Sequence, residues 1–165
     1  MRLGTVILGS RRTIAGTVYG TIIVLATLTA GARAYRGNLW ELIGIAGSTV
    51  TVLWIAHVYA HGLGESVNEG RRLTVPELGA VARRELAILL AAVPVLAAVA
   101  LGAVGILREE TALWLAVGVG VFALAVQGIR YARLEHLSRS GTAITIAVNL
   151  ALGLAIVALK AAVTH

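Results

Sequence analysis

The sequence predicts an all-α integral membrane protein with five transmembrane helices. Hydrophobic residues make up 58% of the 165 residues, charged residues make up 13%, and the mean hydropathy is +0.88. A soluble domain carries roughly 25% charged residues, and a fold of this size exposes too much of its surface to hide so many apolar side chains. The composition therefore excludes a soluble enzyme, a disordered chain and a nucleic-acid-binding module.

Five apolar runs follow one another along the chain. A helical span needs about 20 mostly apolar residues, and only a helix satisfies every backbone polar group within its own segment. The predicted spans are 13–31, 39–62, 86–107, 112–131 and 142–163. The first run is too long for the apolar part of a signal peptide, so we expect a retained helix. No soluble domain fits between the spans, and 1–165 is predicted to be a single transmembrane domain.

The polar segment between the second and third spans predicts a short amphipathic helix that leads into the third span. Thr74 and Glu77 have the spacing of a capping box, with Thr74 as the N-cap and Glu77 three residues later. Pro76 is tolerated in a first helical turn. The helix is therefore expected to begin near Thr74 and to run through 83–85 into the apolar stretch.

The distribution of basic residues predicts the orientation. Of the fourteen Lys and Arg residues, ten lie before the first span or in the loops after the second and fourth, and four lie on the other side. The positive-inside rule then places the N-terminus in the cytoplasm and the C-terminus outside, and Trp40, Trp114 and Tyr131 fall where an aromatic belt is expected. Abundant Ala, Val, Gly, Leu and Arg with a single Lys suggest a GC-rich bacterial genome, and hence a bacterial plasma membrane.

Small residues predict close helix packing. The chain contains nineteen glycines, and small residues let membrane helices approach closely. Gly16 and Gly20 form a GxxxG pair in the first span, and Gly44 and Ser48 form a similar pair in the second. Such pairs serve either packing inside one bundle or a homodimer interface. The expected partners are the lipid bilayer and a second copy of the chain, with no nucleic acid.

One face of the second span carries the candidate chemistry. His57, His61 and Glu65 are four residues apart, so they share a helix face. Two imidazoles and a carboxylate suit a divalent transition metal, and histidine also suits a proton relay. An ionisable residue inside a span is a functional candidate because placing it there is costly. The structural alternative is that the histidines form hydrogen bonds and Glu65 pairs with an arginine of the inner side.

Other polar residues are weaker candidates. Tyr19, Gln127 and Asn149 lie within spans and are expected to line a cavity or to form hydrogen bonds between helices. Three loop candidates could complete a site on the inner side or be solvated: Glu69, Glu135 and His136.

Several kinds of active site are excluded by composition. The chain has no Asp and no Cys, which excludes a Ser/His/Asp set and thiolate metal sites. Val58 follows His57, so the histidine pair lacks the glutamate of a zinc-protease helix. We therefore expect a protein that is not an enzyme.

The layout resembles the vacuolar iron transporter family. The residues that carry this resemblance are 16–20, Gly-Thr-Val-Tyr-Gly, and 128–134 at the end of the fourth span, together with five spans and a charged inner loop. The resemblance implies a metal transporter, but the family's pore Asp falls at Tyr19, its pore Met falls near Ile55, and its long glutamate-rich loop is short here. The iron path of that family is therefore not carried over; the histidine pair is either a substitute or part of a member that does not transport metal.

The leading hypothesis is a small membrane transporter, of a divalent metal ion with proton coupling through the stripe of His57, His61 and Glu65. Carboxylates would attract the cation, the imidazoles would bind it and protonation would release it. The alternative is a structural or accessory membrane protein without transport, and a weaker one is an oligomeric channel. A sealed bundle with His57 and His61 hydrogen-bonded to neighbouring helices would favour the accessory protein. A wet cavity at the midplane, lined by Tyr19, His57 and Asn149, would count against it.

Overall fold

The computed structural model describes residues 11–163, which form five α-helices joined by short loops, with no β-strand among them. The helices are α1 (Arg11–Gly31), α2 (Leu39–Glu69), α3 (Val75–Ala103), α4 (Glu109–Leu134) and α5 (Arg139–Val163). The all-α prediction is therefore confirmed for the described chain.

Four of the helices, α1 to α4, are long and apolar enough to cross a membrane. Helix α5 has 25 residues, which exceeds the ~20 that a span needs, while its role as a fifth span stays a prediction. Among the basic residues used to predict the orientation, Arg2 lies outside the described part of the chain, and so do the side chains of Arg11, Arg12 and Lys160. The orientation likewise stays a prediction.

Helices α2 and α3 differ in length from the predicted spans. Helix α2 continues seven residues past the predicted end, as far as Glu69, because polar residues end a membrane span without ending a helix. It stops at Gly70, whose φ of 63° is left-handed. The amphipathic segment before the third span is the first part of α3 and not a separate short helix. Helix α3 ends at Ala103 instead of 107, because the chain turns at Gly105 with φ 80°.

Helices α1, α3 and α4 form the centre of the bundle. Helix α2 packs against α3 and α1, and α5 packs against α4 and α1 on the other side. The core between them contains fully buried Val24, Leu25, Ile88, Val95 and Leu124. The centre is therefore apolar, and any wide polar space has to lie towards the ends of the helices.

The GxxxG pair of α1 serves packing inside this bundle. A Cβ at Gly16 would stand 3.2 Å from the Cβ of Ala87, and one at Gly20 would overlap the carbonyl oxygen of Ile88. At Gly44 of α2, by contrast, a Cβ would meet no atom within 4 Å. Close approach of α1 to α3 therefore explains the first pair, whereas Gly44 has no packing role within the described chain.

Candidate functional site

A cavity of about 940 Å³ opens at the end of the bundle where α1, α3 and α5 begin and α2 and α4 end. By the charge distribution this end is the predicted cytoplasmic one. Helix α1 contributes Tyr19, α2 contributes His57 and α5 contributes Asn149 to its wall. The cavity is partly open to the surroundings, and polar groups from three helices face it.

All three residues of the predicted stripe on α2 line this cavity. The four-residue spacing of His57, His61 and Glu65 places them along one face. Ala60 and Gly64, which lie between them in the sequence, and Asn68, which follows Glu65, complete that wall. The helical period therefore predicted which residues of α2 share the face that lines the cavity.

His57 is the deepest polar residue of the stripe. Its ring lies against Tyr19, with ring centroids 4.8 Å apart, and its Nδ1 lies 3.2 Å from the carbonyl oxygen of Leu53. Because a carbonyl oxygen only accepts hydrogen bonds, this contact assigns the proton to Nδ1. A neutral His57 then keeps the lone pair on Nε2, which is available as an acceptor or a ligand.

His61 pairs with a carboxylate of the next helix. Its Nδ1 lies 3.0 Å from Oε1 of Glu85, whose side chain is only 17% exposed, while His61 is 58% exposed. The two imidazole rings of the stripe are 5.9 Å apart and nearly perpendicular. Glu85 lies where the polar start of α3 meets its apolar stretch, so the pair stands at the boundary between these two parts of the helix.

Glu65, the third residue of the stripe, pairs with Arg84, which donates a hydrogen bond to its carboxylate. Both groups are partly exposed. Helix α2 is also bonded to α3 further in, where the indole N–H of Trp54 donates to the carbonyl oxygen of Ala82 at 3.2 Å. Three polar contacts therefore join the end of α2 to the beginning of α3.

These pairings bear on the predicted metal site. Within residues 11–163, no group of three His or Glu side chains is arranged to hold a metal ion. Glu65 and His61 each face a partner on α3, while His57 faces Tyr19. A metal ion bound by the stripe would require at least one of these ion pairs to open.

Helices α4 and α5 supply the opposite wall with Tyr131, Thr145 and Asn149. The two helices come close at Gly128, where a Cβ would stand 3.0 Å from the Asn149 Nδ2 and 3.2 Å from the Ile146 Cα. The absence of a side chain at Gly128 thus lets Asn149 sit beside the cavity.

The remaining predicted candidates do not line the cavity. Gln127 is buried and accepts a hydrogen bond at 3.0 Å from Arg130 of its own helix, and not from another helix as expected. Glu69 pairs with Arg71 at 2.7 Å, beyond the cavity. Glu135 caps the end of α4, and His136 follows it, exposed and with a left-handed φ of 51°.

Sequence reasoning did not single out Glu85 or Tyr131 as site residues. Glu85 directly precedes the apolar stretch that begins at Leu86, and this position is a signal that could have identified it. Tyr131 falls in the predicted aromatic belt, and a belt residue can also face a cavity. Glu85 and Tyr131 lie on α3 and α4, whereas the predicted stripe lies on α2, so residue spacing along α2 could not reveal that they line the same cavity.

The polar segment before α3 has the predicted geometry. The carboxylate of Glu77 accepts from the backbone N–H of Thr74 at 2.7 Å, as expected for the capping box, and it also accepts from the Thr74 hydroxyl at 2.8 Å. Arg71 donates two hydrogen bonds to the same carboxylate, at 2.7 and 3.1 Å. Arg71 and Thr74 lower the pKa of Glu77 to about 2. Glu77 lies before the predicted third span, which begins at Leu86.

Comparison of the chain with protein-family models, curated proteins and solved structures found no match.

Proposed function

We propose that the chain is a small multi-pass membrane transporter of a bacterial plasma membrane that takes a cation into the cavity and exchanges it for a proton. The observation that carries this proposal is the cavity itself, in which Tyr19, His57 and Asn149 from three helices surround about 940 Å³. Polar and ionisable groups at membrane depth are expensive and mark pathways. A purely structural bundle would close around such groups, whereas here they surround an open space.

The exchange of a cation for a proton takes place at the pair of His61 and Glu85. With a proton on both ring nitrogens, His61 is an imidazolium that neutralises the carboxylate at 3.0 Å. A cation that enters beside Glu85 replaces the imidazolium as counter-ion, and His61 then releases its proton to water. One positive charge arrives for each proton that leaves, so Glu85 keeps a counter-ion in both states. Acidification reverses the exchange and releases the cation.

The other titratable groups around this pair come from four helices. These are Tyr19 of α1, His57 and Glu65 of α2, Arg84 of α3 and Tyr131 of α4. Helix α5 contributes the neutral side chains of Thr145 and Asn149. Because Arg84 already neutralises Glu65, Glu85 is the carboxylate whose counter-ion changes.

A divalent metal ion is the cation that the sequence suggested. It would need His57 Nε2 together with His61 and a carboxylate, and therefore the opening of the pair between His61 and Glu85. Metal ions accordingly belong in the test of the proposal, alongside organic cations.

The accessory-protein alternative has one observation in its favour, since both carboxylates of the cavity have basic partners, Arg84 and His61. Such pairs could simply join α2 to α3. The two functions differ in whether a cation drives proton movement across a membrane.

Proteoliposomes that contain the full chain and an enclosed pH-sensitive dye test this difference. Because each cation that enters is exchanged for a proton that leaves, addition of first-row divalent metal ions or small quaternary ammonium ions outside should raise the pH of the lumen above that of empty vesicles. Glu85→Gln should abolish the response, and Glu110→Gln, at the opposite end of the bundle, should retain it. Equal responses of protein-containing and empty vesicles for every cation would reject transport and favour the accessory role.

A further inference from the structure

We propose that the ligand of this cavity is a monovalent organic cation with an apolar body; this inference rests on the proposed function and specifies its substrate class. Three features of the cavity carry it: its size, the sign and number of its charges, and the aromatic side chains around its polar end.

The size of the cavity suits an organic molecule. Pockets for drug-sized ligands measure about 300–1,000 Å³ and are mostly apolar with a few polar groups. The cavity has about 940 Å³, and its deeper wall is formed by Val18, Ile22 and Ile88. A bare divalent ion instead needs several ligand atoms within about 2.0–2.6 Å, and no such group of three side chains occurs among the described residues.

The charged residues that line the cavity favour a positively charged ligand. Its described lining residues include two carboxylates, Glu65 and Glu85, and no Lys or Arg. Arg84 approaches from behind and holds Glu65, so the wall offers the ligand the single negative charge of Glu85 once His61 moves aside. A ligand with one positive charge balances this carboxylate, whereas a divalent ion would leave one charge uncompensated.

Aromatic rings surround the same polar region. Tyr19 and Tyr131 reach the cavity from α1 and α4, and the ring of His57 lies against Tyr19. A cation placed over the face of a tyrosine is attracted by the ring quadrupole, by about 0.5–2 kcal/mol. A polarisable organic cation can therefore contact the rings, the carboxylate and the apolar wall together.

Binding to the purified full-length chain in detergent tests the inference, with tetraphenylphosphonium as the probe and calorimetry as the readout. Triphenylphosphine oxide, which has similar phenyl groups but no net charge, measures non-specific apolar binding. We expect the phosphonium to bind and the neutral compound to bind at least about tenfold more weakly. Equal binding of the two compounds, or no binding of the phosphonium, would overturn the inference.

Two variants locate the binding. Glu85→Gln should weaken phosphonium binding by about tenfold or more, because truncating one partner of a desolvated charge pair is costly. Ala60 is exposed on the cavity wall, so Ala60→Phe should fill the space without disturbing the core and reduce the affinity for the bulky probe by a similar factor. Glu110→Gln is the matched control and should bind as the wild type. Unchanged affinity in Ala60→Phe would place the phosphonium elsewhere and overturn the inference.

The vesicle assay separates this inference from the proposed function. Metal-driven proton movement without phosphonium binding would overturn the organic-cation inference and leave cation exchange intact. Phosphonium binding that depends on Glu85, without proton movement for any cation, would support the site and reject transport.

Discussion

Replacement of Gly20 by alanine should push α1 away from α3 and destabilise the bundle. A Cβ at Gly20 would overlap the carbonyl oxygen of Ile88 and would stand 3.0 Å from both its carbonyl carbon and its Cα. These are backbone atoms of a helix, so they cannot rotate aside as a side chain could. An ordinary carbon–carbon contact lies at about 3.5–4.0 Å, and the helices must therefore separate by about 0.5–1 Å.

The magnitude follows from the packing that this separation removes. A gap of about 0.5–1 Å forfeits a quarter to a half of the dispersion energy of each contact, and overpacking costs about 1–3 kcal/mol. Gly118→Ala is the matched control, since a Cβ there meets no atom within 4 Å. Both substitutions gain the same helix propensity, about 0.5–1 kcal/mol, which cancels in the comparison.

Thermal unfolding of both variants in one detergent, followed by tryptophan fluorescence, measures the difference. At about 2–4 °C per kcal/mol for a chain of this size, Gly20→Ala should melt about 2–12 °C below Gly118→Ala. Equal melting temperatures, or a higher one for Gly20→Ala, would refute the argument that the glycine is required for the close approach of α1 to α3.

Three further predictions concern the rest of the chain. Because its ion pair with Arg71 lowers the pKa of Glu77 from an ordinary value of 4.5 to about 2, this pair stabilises the fold fully above pH ~4.5, and the stabilisation is lost as the pH falls towards 2. Acid unfolding followed by circular dichroism should show this loss in the wild type and a smaller loss in Glu77→Gln. Trp54→Phe removes the hydrogen bond to Ala82 and should lower the free energy of unfolding by about 0.5–1.5 kcal/mol in detergent titrations, and no change would show that the bond is not formed. If the chain is a homodimer through the exposed small residues of α2, Gly44→Leu should yield a monomer of unchanged melting temperature by light scattering, whereas an unchanged dimer would exclude this face.

Much of the fold could be predicted from the apolar runs, because in a bilayer a run of this length has to be a helix. The ends of the helices could not be predicted as well, since a helix continues where the membrane stops. The extension of α2 to Glu69 is an example, although Gly70 marks its end in the sequence. Similarly, Gly105 ends α3 earlier than its hydrophobicity suggests.

The candidate site was only partly predictable, for a related reason. The period of the helix placed His57, His61 and Glu65 on one face, and composition identified Tyr19 and Asn149 as polar residues inside spans. The ion pairs with Arg84 and Glu85 depend on how α2 docks on α3, and this docking is set by packing between distant parts of the chain. The sequence alone therefore could not show that His61 and Glu65 already have partners on α3, which a metal ion bound by the stripe would have to displace.

The contacts that join α2 to α3 also determine how the cavity can change its shape. The hydrogen bond of Trp54, the pair of His61 and Glu85 and the pair of Glu65 and Arg84 follow one another along about three helical turns. Because these contacts join them, we expect α2 and α3 to move together as one helical hairpin. We therefore expect any change in the shape of the cavity to come from the far side, where α5 packs against α4 and α1. Spin labels on α5 and on the hairpin would report that motion as a change in their separation, while two labels within the hairpin would keep a constant distance.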